Sequence, residues 1–169
     1  GLRETLTILV PDPARKQSLG WFKTICELWR NDAIDVPKRK QVVLFIHGGG
    51  WVAPGSDVQI QQLTPFVRAG HVVFTMNYAL APHHRFPTQL VSTLRALRFI
   101  RTMGHENVVL IGESAGGNLA SMAAGLESNP ALLAKFAEEP AVRELAAQGT
   151  RSVDNDVSTW KLPACVGFS

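Results

Sequence analysis

The hydrophobic pattern along the chain alternates between two forms. Short, unbroken apolar runs suit strands covered on both faces, and segments with apolar residues three and four apart suit helices with one buried side. Leu6 to Val10 reads as a strand stopped by Pro11-Asp12-Pro13. From Ser18 to Arg30, Leu19, Phe22, Ile25, Cys26 and Trp29 share one helical face. Val42-Val43-Leu44-Phe45-Ile46 is a continuous apolar run, followed by a helix expected from Asp57 to about Arg68 and closed by Gly70. His71 to Met76 predicts a second buried strand. Pro87 to Arg101, with Leu90, Leu94, Leu97 and Phe99 or Ile100 in register, predicts the next helix.

Asn107 to Ile111 predicts a third strand, and Ser114 to about Leu126 an Ala-rich helix. Strand and helix in strict alternation indicate an α/β fold with a mostly parallel sheet and helices on both faces. Pro130 to Gln148 predicts one or two surface helices, Arg151 to Thr159 a polar loop, and Pro163 to Phe168 the first half of another strand. The expected organisation is one partial domain over 1–169. Residues 1–40 form an N-terminal strand and helix, 41–126 the core, and 127–169 a helical insert with the start of a strand.

Composition narrows this picture. A chain of 169 residues with 46% hydrophobic and 18% charged residues is globular in profile and holds one core. The net charge of +3 is mild, and the basic run Lys38-Arg39-Lys40 has no interleaved aromatics, so no nucleic-acid partner is expected. Cys26 and Cys165 match no metal spacing and read as free thiols; neither a metal nor a cofactor is expected. No apolar run reaches the roughly 18–20 residues of a membrane span, so stable membrane insertion is not expected. From Gly1 onward there is no charged-then-apolar leader pattern; the compartment stays open, with the cytoplasm favoured. Oligomeric state is not legible.

The candidate chemistry sits at two strand ends. Gly112-Glu113-Ser114-Ala115-Gly116 follows a short apolar strand and opens a helix, the context in which a Gly-x-Ser-x-Gly pentapeptide becomes a nucleophile turn. Such a turn holds its serine in strained backbone. Gly112 and Gly116 must be small to avoid collision, and the Ala115 N–H lies at a helix N-terminus suited to an oxyanion. The competing reading is that Ser114 is only a helix cap. His47-Gly48-Gly49-Gly50-Trp51 follows the first buried strand, and Gly48 and Gly49 could supply further N–H donors, with His47 bracing the loop. Phosphate-loop spacing is absent from this run.

These stretches, together with Asn77-Tyr78-Ala79-Leu80-Ala81-Pro82 and Phe86-Pro87, resemble the hormone-sensitive-lipase-like esterases of the α/β-hydrolase superfamily. The resemblance implies a serine hydrolase acting on small-molecule carboxylic esters, with Ser114 as nucleophile and Gly48, Gly49 and Ala115 as the oxyanion hole. His47, Gly50, Gly112, Glu113 and Gly116 are expected to support them. Two departures stand out: Asn77 and Ala79 replace the family's Asp and Arg, and Glu113 stands where Asp is common. A serine nucleophile needs an acid and a histidine base after it in this family. His47, His71, His83, His84 and His105 all precede Ser114, and Asp154 and Asp156 come too early. The expectation is therefore a C-terminally truncated member whose acid and base would lie beyond Ser169. The alternatives are an amidase or formamidase of the same fold, or a receptor-like ligand binder without the histidine, as in the plant gibberellin receptors.

Overall fold

The computed structural model describes residues 5–9, 23–24, 41–53, 55 and 60–148. Of the helix expected at Ser18–Arg30 only Lys23 and Thr24 are described, and they form a short strand instead, paired antiparallel with Thr7 and Ile8, because an open strand edge offers backbone partners that apolar spacing does not register. Both cysteines, the 151–159 loop and the strand at 163–168 lie outside the described residues.

Five strands form one sheet in the order β2-β1-β4-β3-β5. They are β1 (Thr5–Leu9), β2 (Lys23–Thr24), β3 (Val42–Ile46), β4 (Val72–Asn77) and β5 (Val108–Gly112). The core trio β4-β3-β5 is parallel, as continuous apolar runs require. The sheet is nevertheless mixed, because β1 runs antiparallel to both β4 and β2. Direction is invisible in a strand of five residues; it follows from which neighbour the strand joins.

The parallel register sorts side chains into rows, since successive residues of a strand face opposite sides. Val42, Val72 and Val108 share a row, as do Leu44, Phe74 and Leu110. These rows face α2 (Thr88–Thr102) and α3 (Ala115–Ser128), whose Leu90, Leu94, Leu97, Ile100, Leu119, Ala120 and Ala123 complete the larger core. The alternate row Val43, Val73, Val109 faces the other way and packs with Phe45 against Leu63, Phe66 and Val67 of α1 (Ile60–Arg68). Helices thus cover both faces. Phe74, Leu44 and Ile46 are fully buried, and each contributes about 1.5–3 kcal/mol by leaving water.

Local chemistry sets the helix ends. Gly70, at φ 90°, lets α1 close with Gly70 N–H on Val67 O and His71 N–H on Phe66 O, the paired bonds of a Schellman stop. Helix α3 buries Ala115, Leu119, Ala120, Ala123 and Ala124, a face of mostly small residues that brings it close to the sheet. The 130–148 segment is two helices, α4 (Pro130–Glu138) and α5 (Pro140–Gln148). Asn129 caps α4 by accepting from Leu132 N–H at 3.1 Å, and Pro140 starts α5 where its missing N–H costs nothing. Helices α2 and α3 are also joined by an ion pair, Arg101 Nη2 to Glu127 Oε2 at 2.5 Å, with Glu127 almost buried.

Candidate active site

Strands β3 and β5 end side by side, with Ile46 paired to Gly112 in the last register row. The loops that leave them are therefore neighbours. Glu113 N–H donates to Ile46 O at 3.2 Å, which continues the ladder one step into the turn. A Cβ on Gly48 would sit 3.3 Å from Ser114 Cβ and 3.0 Å from Glu113 O, so the glycine loop lies directly against the serine turn. A Cβ on Gly116 would collide with the Ile46 and His47 carbonyl oxygens, and one on Gly112 with the Gly116 carbonyl. The small residues are needed because three backbone segments converge here.

Ser114 occupies the N-cap position of α3 with φ 50° and ψ −115°. It is one of two non-glycine residues with positive φ among those described, the other being Trp51 in the glycine loop at φ 62°. An L-residue in this region carries strain of about 1–3 kcal/mol. The side chain makes no capping hydrogen bond, and the residue is exposed. This geometry differs from a capping serine, whose backbone lies in the β region and whose oxygen accepts from the first turn. The turn is closed instead by backbone bonds, Gly116 N–H to Glu113 O at 2.7 Å and Asn118 N–H to Ser114 O at 3.1 Å. Ala115 is the first residue of α3. Among the described residues, the N–H groups of Gly48, Gly49 and Ala115 have no backbone acceptor.

The glycine loop is braced from below. His47 is completely buried, and its ring stacks on Tyr78 with centroids 4.4 Å apart and planes at 12°. His47 Nδ1 lies 2.6 Å from Gly48 O, which fixes the proton on Nδ1. Burial lowers the His47 pKa, only partly offset by that bond, so the ring is neutral near pH 7. The Tyr78 hydroxyl donates to His47 O at 3.1 Å and lies 3.5 Å from Gly48 O; burial pushes its pKa up to about 12. Gly55 approaches so closely that a Cβ there would lie 2.9 Å from His47 Nδ1. Gly49 O accepts from both Val52 and Ala53 N–H, and Trp51 O accepts from Ala81 N–H at 2.8 Å. The last bond ties the loop to the Asn77–Pro82 stretch.

Ser114, Ala115, Gly48 and His47 are thus brought together, while Gly50 stands clear, with nothing within 4 Å of its would-be Cβ. Glu113 is exposed, and both it and Asn77 have an interaction partner. His83 and His84 are exposed, and His71 and His105 lie at the opposite end of the strands, before β4 and β5. Tyr78 and Gly55 were not singled out by sequence reasoning, although Tyr78 is the chain's sole tyrosine. Among the described residues there is no cluster of three His, Cys, Asp or Glu able to hold a metal, and no helix is long and apolar enough to cross a membrane.

Comparison with known proteins agrees with this architecture. A family model described as the alpha/beta hydrolase fold matches residues 43–154, and the chain belongs to that family. Esterase LipC of Mycobacterium tuberculosis is 30% identical over 122 residues, 68% of this chain and 30% of its own length. Arylacetamide deacetylase of Mus musculus is 36% identical over 105 residues, 52% of this chain and 26% of its own. Among solved structures, esterase B from Lactobacillus rhamnosis superposes with a TM-score of 0.53 at 28% identity, covering 63% of this chain and 34% of that one. The chain spans about a third or less of the length of the curated relatives it matches.

Proposed function

We propose that the chain carries the nucleophile and oxyanion half of a serine hydrolase for small carboxylic esters. In this reading Ser114 Oγ attacks the acyl carbon. The N–H groups of Gly48, Gly49 and Ala115 receive the developing oxyanion, the alcohol leaves, and water releases the acid. The single observation that carries the reading is Ser114 itself. It is an exposed serine in strained backbone at a strand-to-helix turn, its hydroxyl is not used as a cap, and Gly48 lies against it. Two donor sources from separate loops suit a charge that appears only in the transition state. Removing one such donor typically costs about 10²–10³ in rate.

A serine hydroxyl attacks only when a base takes its proton. No histidine follows Ser114, and His47 is committed to the loop. The acid and base are therefore proposed to come from outside these 169 residues. The test uses the full gene product, with p-nitrophenyl butyrate as substrate and a fluorophosphonate as serine label. Hydrolysis and labelling of Ser114 are expected, and Ser114→Ala should abolish both. A Ser114→Ala protein that still hydrolyses the ester would refute the assignment.

The likeness to a protein named for deacetylating arylacetamides supports amides as a second substrate class. Rates on p-nitroacetanilide and p-nitrophenyl acetate, measured side by side, separate the two leaving groups. Receptor-like binding without turnover predicts no labelling and saturable uptake of a small apolar ligand.

A further inference from the structure

In a trans peptide unit the C=O and N–H point in opposite directions, so holding the carbonyl of one unit aims its N–H the other way. The two peptide units that carry the Gly48 and Gly49 N–H groups are not among the cis bonds of the described residues, which are Ala81–Pro82 and Phe86–Pro87. The first unit ends in His47 O, and it is held by the Tyr78 hydroxyl at 3.1 Å. The second ends in Gly48 O, and it is held by His47 Nδ1 at 2.6 Å. One hydroxyl has one proton, so the 3.5 Å approach of Tyr78 to Gly48 O is secondary and the histidine carries that carbonyl. The ring stack joins the two anchors into one unit.

We infer that Tyr78 and His47 are positioning residues that aim the two glycine N–H donors, Tyr78 through the 47–48 peptide and His47 through the 48–49 peptide. The observations fit this role better than general core packing. Both side chains are buried, and both spend their polar atoms on loop carbonyls, leaving His47 Nε2 with no partner. Burial also keeps the tyrosine protonated and the histidine neutral, so neither bond switches off near pH 7. Three consecutive glycines have no side chains of their own to set their orientation, and an unanchored loop would have to be ordered anew in each turnover. The anchor lies 30 residues away at the end of β4, the strand beside β3.

The inference rests on the Ser114 reading, and the experiment separates the two. Tyr78→Phe removes the hydroxyl and keeps the stacked ring; His47→Phe removes the donor and keeps a flat ring. Each variant of the full gene product is assayed with p-nitrophenyl butyrate, with rates normalised to serines titrated by the fluorophosphonate. The expected result is a fall in kcat of about 10- to 100-fold per titrated serine, short of the full loss of a donor. KM should stay within about threefold, because ground-state binding does not use an oxyanion. Affinity for an aryl trifluoromethyl ketone, which adds serine to form an oxyanion, should weaken by the same factor as kcat/KM. A kcat within twofold of wild type, or a loss confined to the number of titratable serines, would overturn the positioning role. If wild type is not labelled or Ser114→Ala stays active, the Ser114 reading fails first, and this inference falls with it.

Discussion

Replacing Ser114 by glycine should make the protein more stable, and this outcome separates a strained nucleophile from an ordinary cap. At φ 50° and ψ −115° the serine carries about 1–3 kcal/mol of backbone strain that glycine does not feel. Glycine gives back about 0.5–1 kcal/mol through the greater freedom of the unfolded chain. The net expectation for Ser114→Gly is a stabilisation of about 1 kcal/mol. Ser114→Ala keeps the strain and removes only an exposed hydroxyl with no cap bond, so it should stay within about 0.5 kcal/mol of wild type. A capping serine predicts the opposite pattern, with alanine costing about 0.5–2 kcal/mol and glycine a few tenths. Urea unfolding followed by circular dichroism at 222 nm resolves the difference. With a slope of about 2 kcal/mol per molar, the midpoint should rise by about 0.5 M in the glycine variant. A glycine variant less stable than wild type would refute the strain argument whatever the activity shows.

Other substitutions probe the same construction. Gly116→Ala drives a methyl into the Ile46 and His47 carbonyls, and should cost at least 3 kcal/mol, roughly the upper range for single changes, with a matching fall in the urea midpoint. Glu127→Ala leaves Arg101 without its partner between α2 and α3. Because Arg101 keeps partial access to water, the loss in thermal unfolding should be about 1–3 kcal/mol, below the value for a fully buried pair. The pKa values of His47 and His105 are both lowered by burial, so the unfolded chain binds more protons than the folded one below pH 6.5. Stability is therefore full above that pH and declines as pH falls from 6.5 toward the folded values. Urea midpoints at pH 7.5 and 5.5 should show the drop, and His105→Phe should reduce it; equal midpoints would contradict the sign.

Much of the sheet was legible because burial leaves a direct mark on sequence. Val42–Ile46 had to be apolar at every position to lie between two helix layers, and its bounds agree with the observed strand. The serine turn was legible for a related reason: Gly112 and Gly116 are small because backbone crowds them, and that need shows as a fixed spacing. The helix expected from Asp57 to about Arg68 is described over Ile60–Arg68, and its C-terminal end was legible in Gly70; residues 56–59 lie outside the described residues. What stayed hidden was joined over distance. The antiparallel pairing of β1 with β4, the Arg101–Glu127 pair and the Tyr78 brace each link residues separated by 26 or more positions, and no periodicity reports such a meeting.

The final register row, Ile46 beside Gly112, has a consequence for how the site can change over time. Adjacent strands stand about 4.8 Å apart, a spacing set by the peptide hydrogen bond and indifferent to side chains. The glycine loop and the serine turn are each rooted at one end of that interval. Their separation is thus measured by the backbone itself, as by a gauge block. Helix surfaces and loop lengths can drift while the distance between the proposed nucleophile and its proposed oxyanion donors stays calibrated.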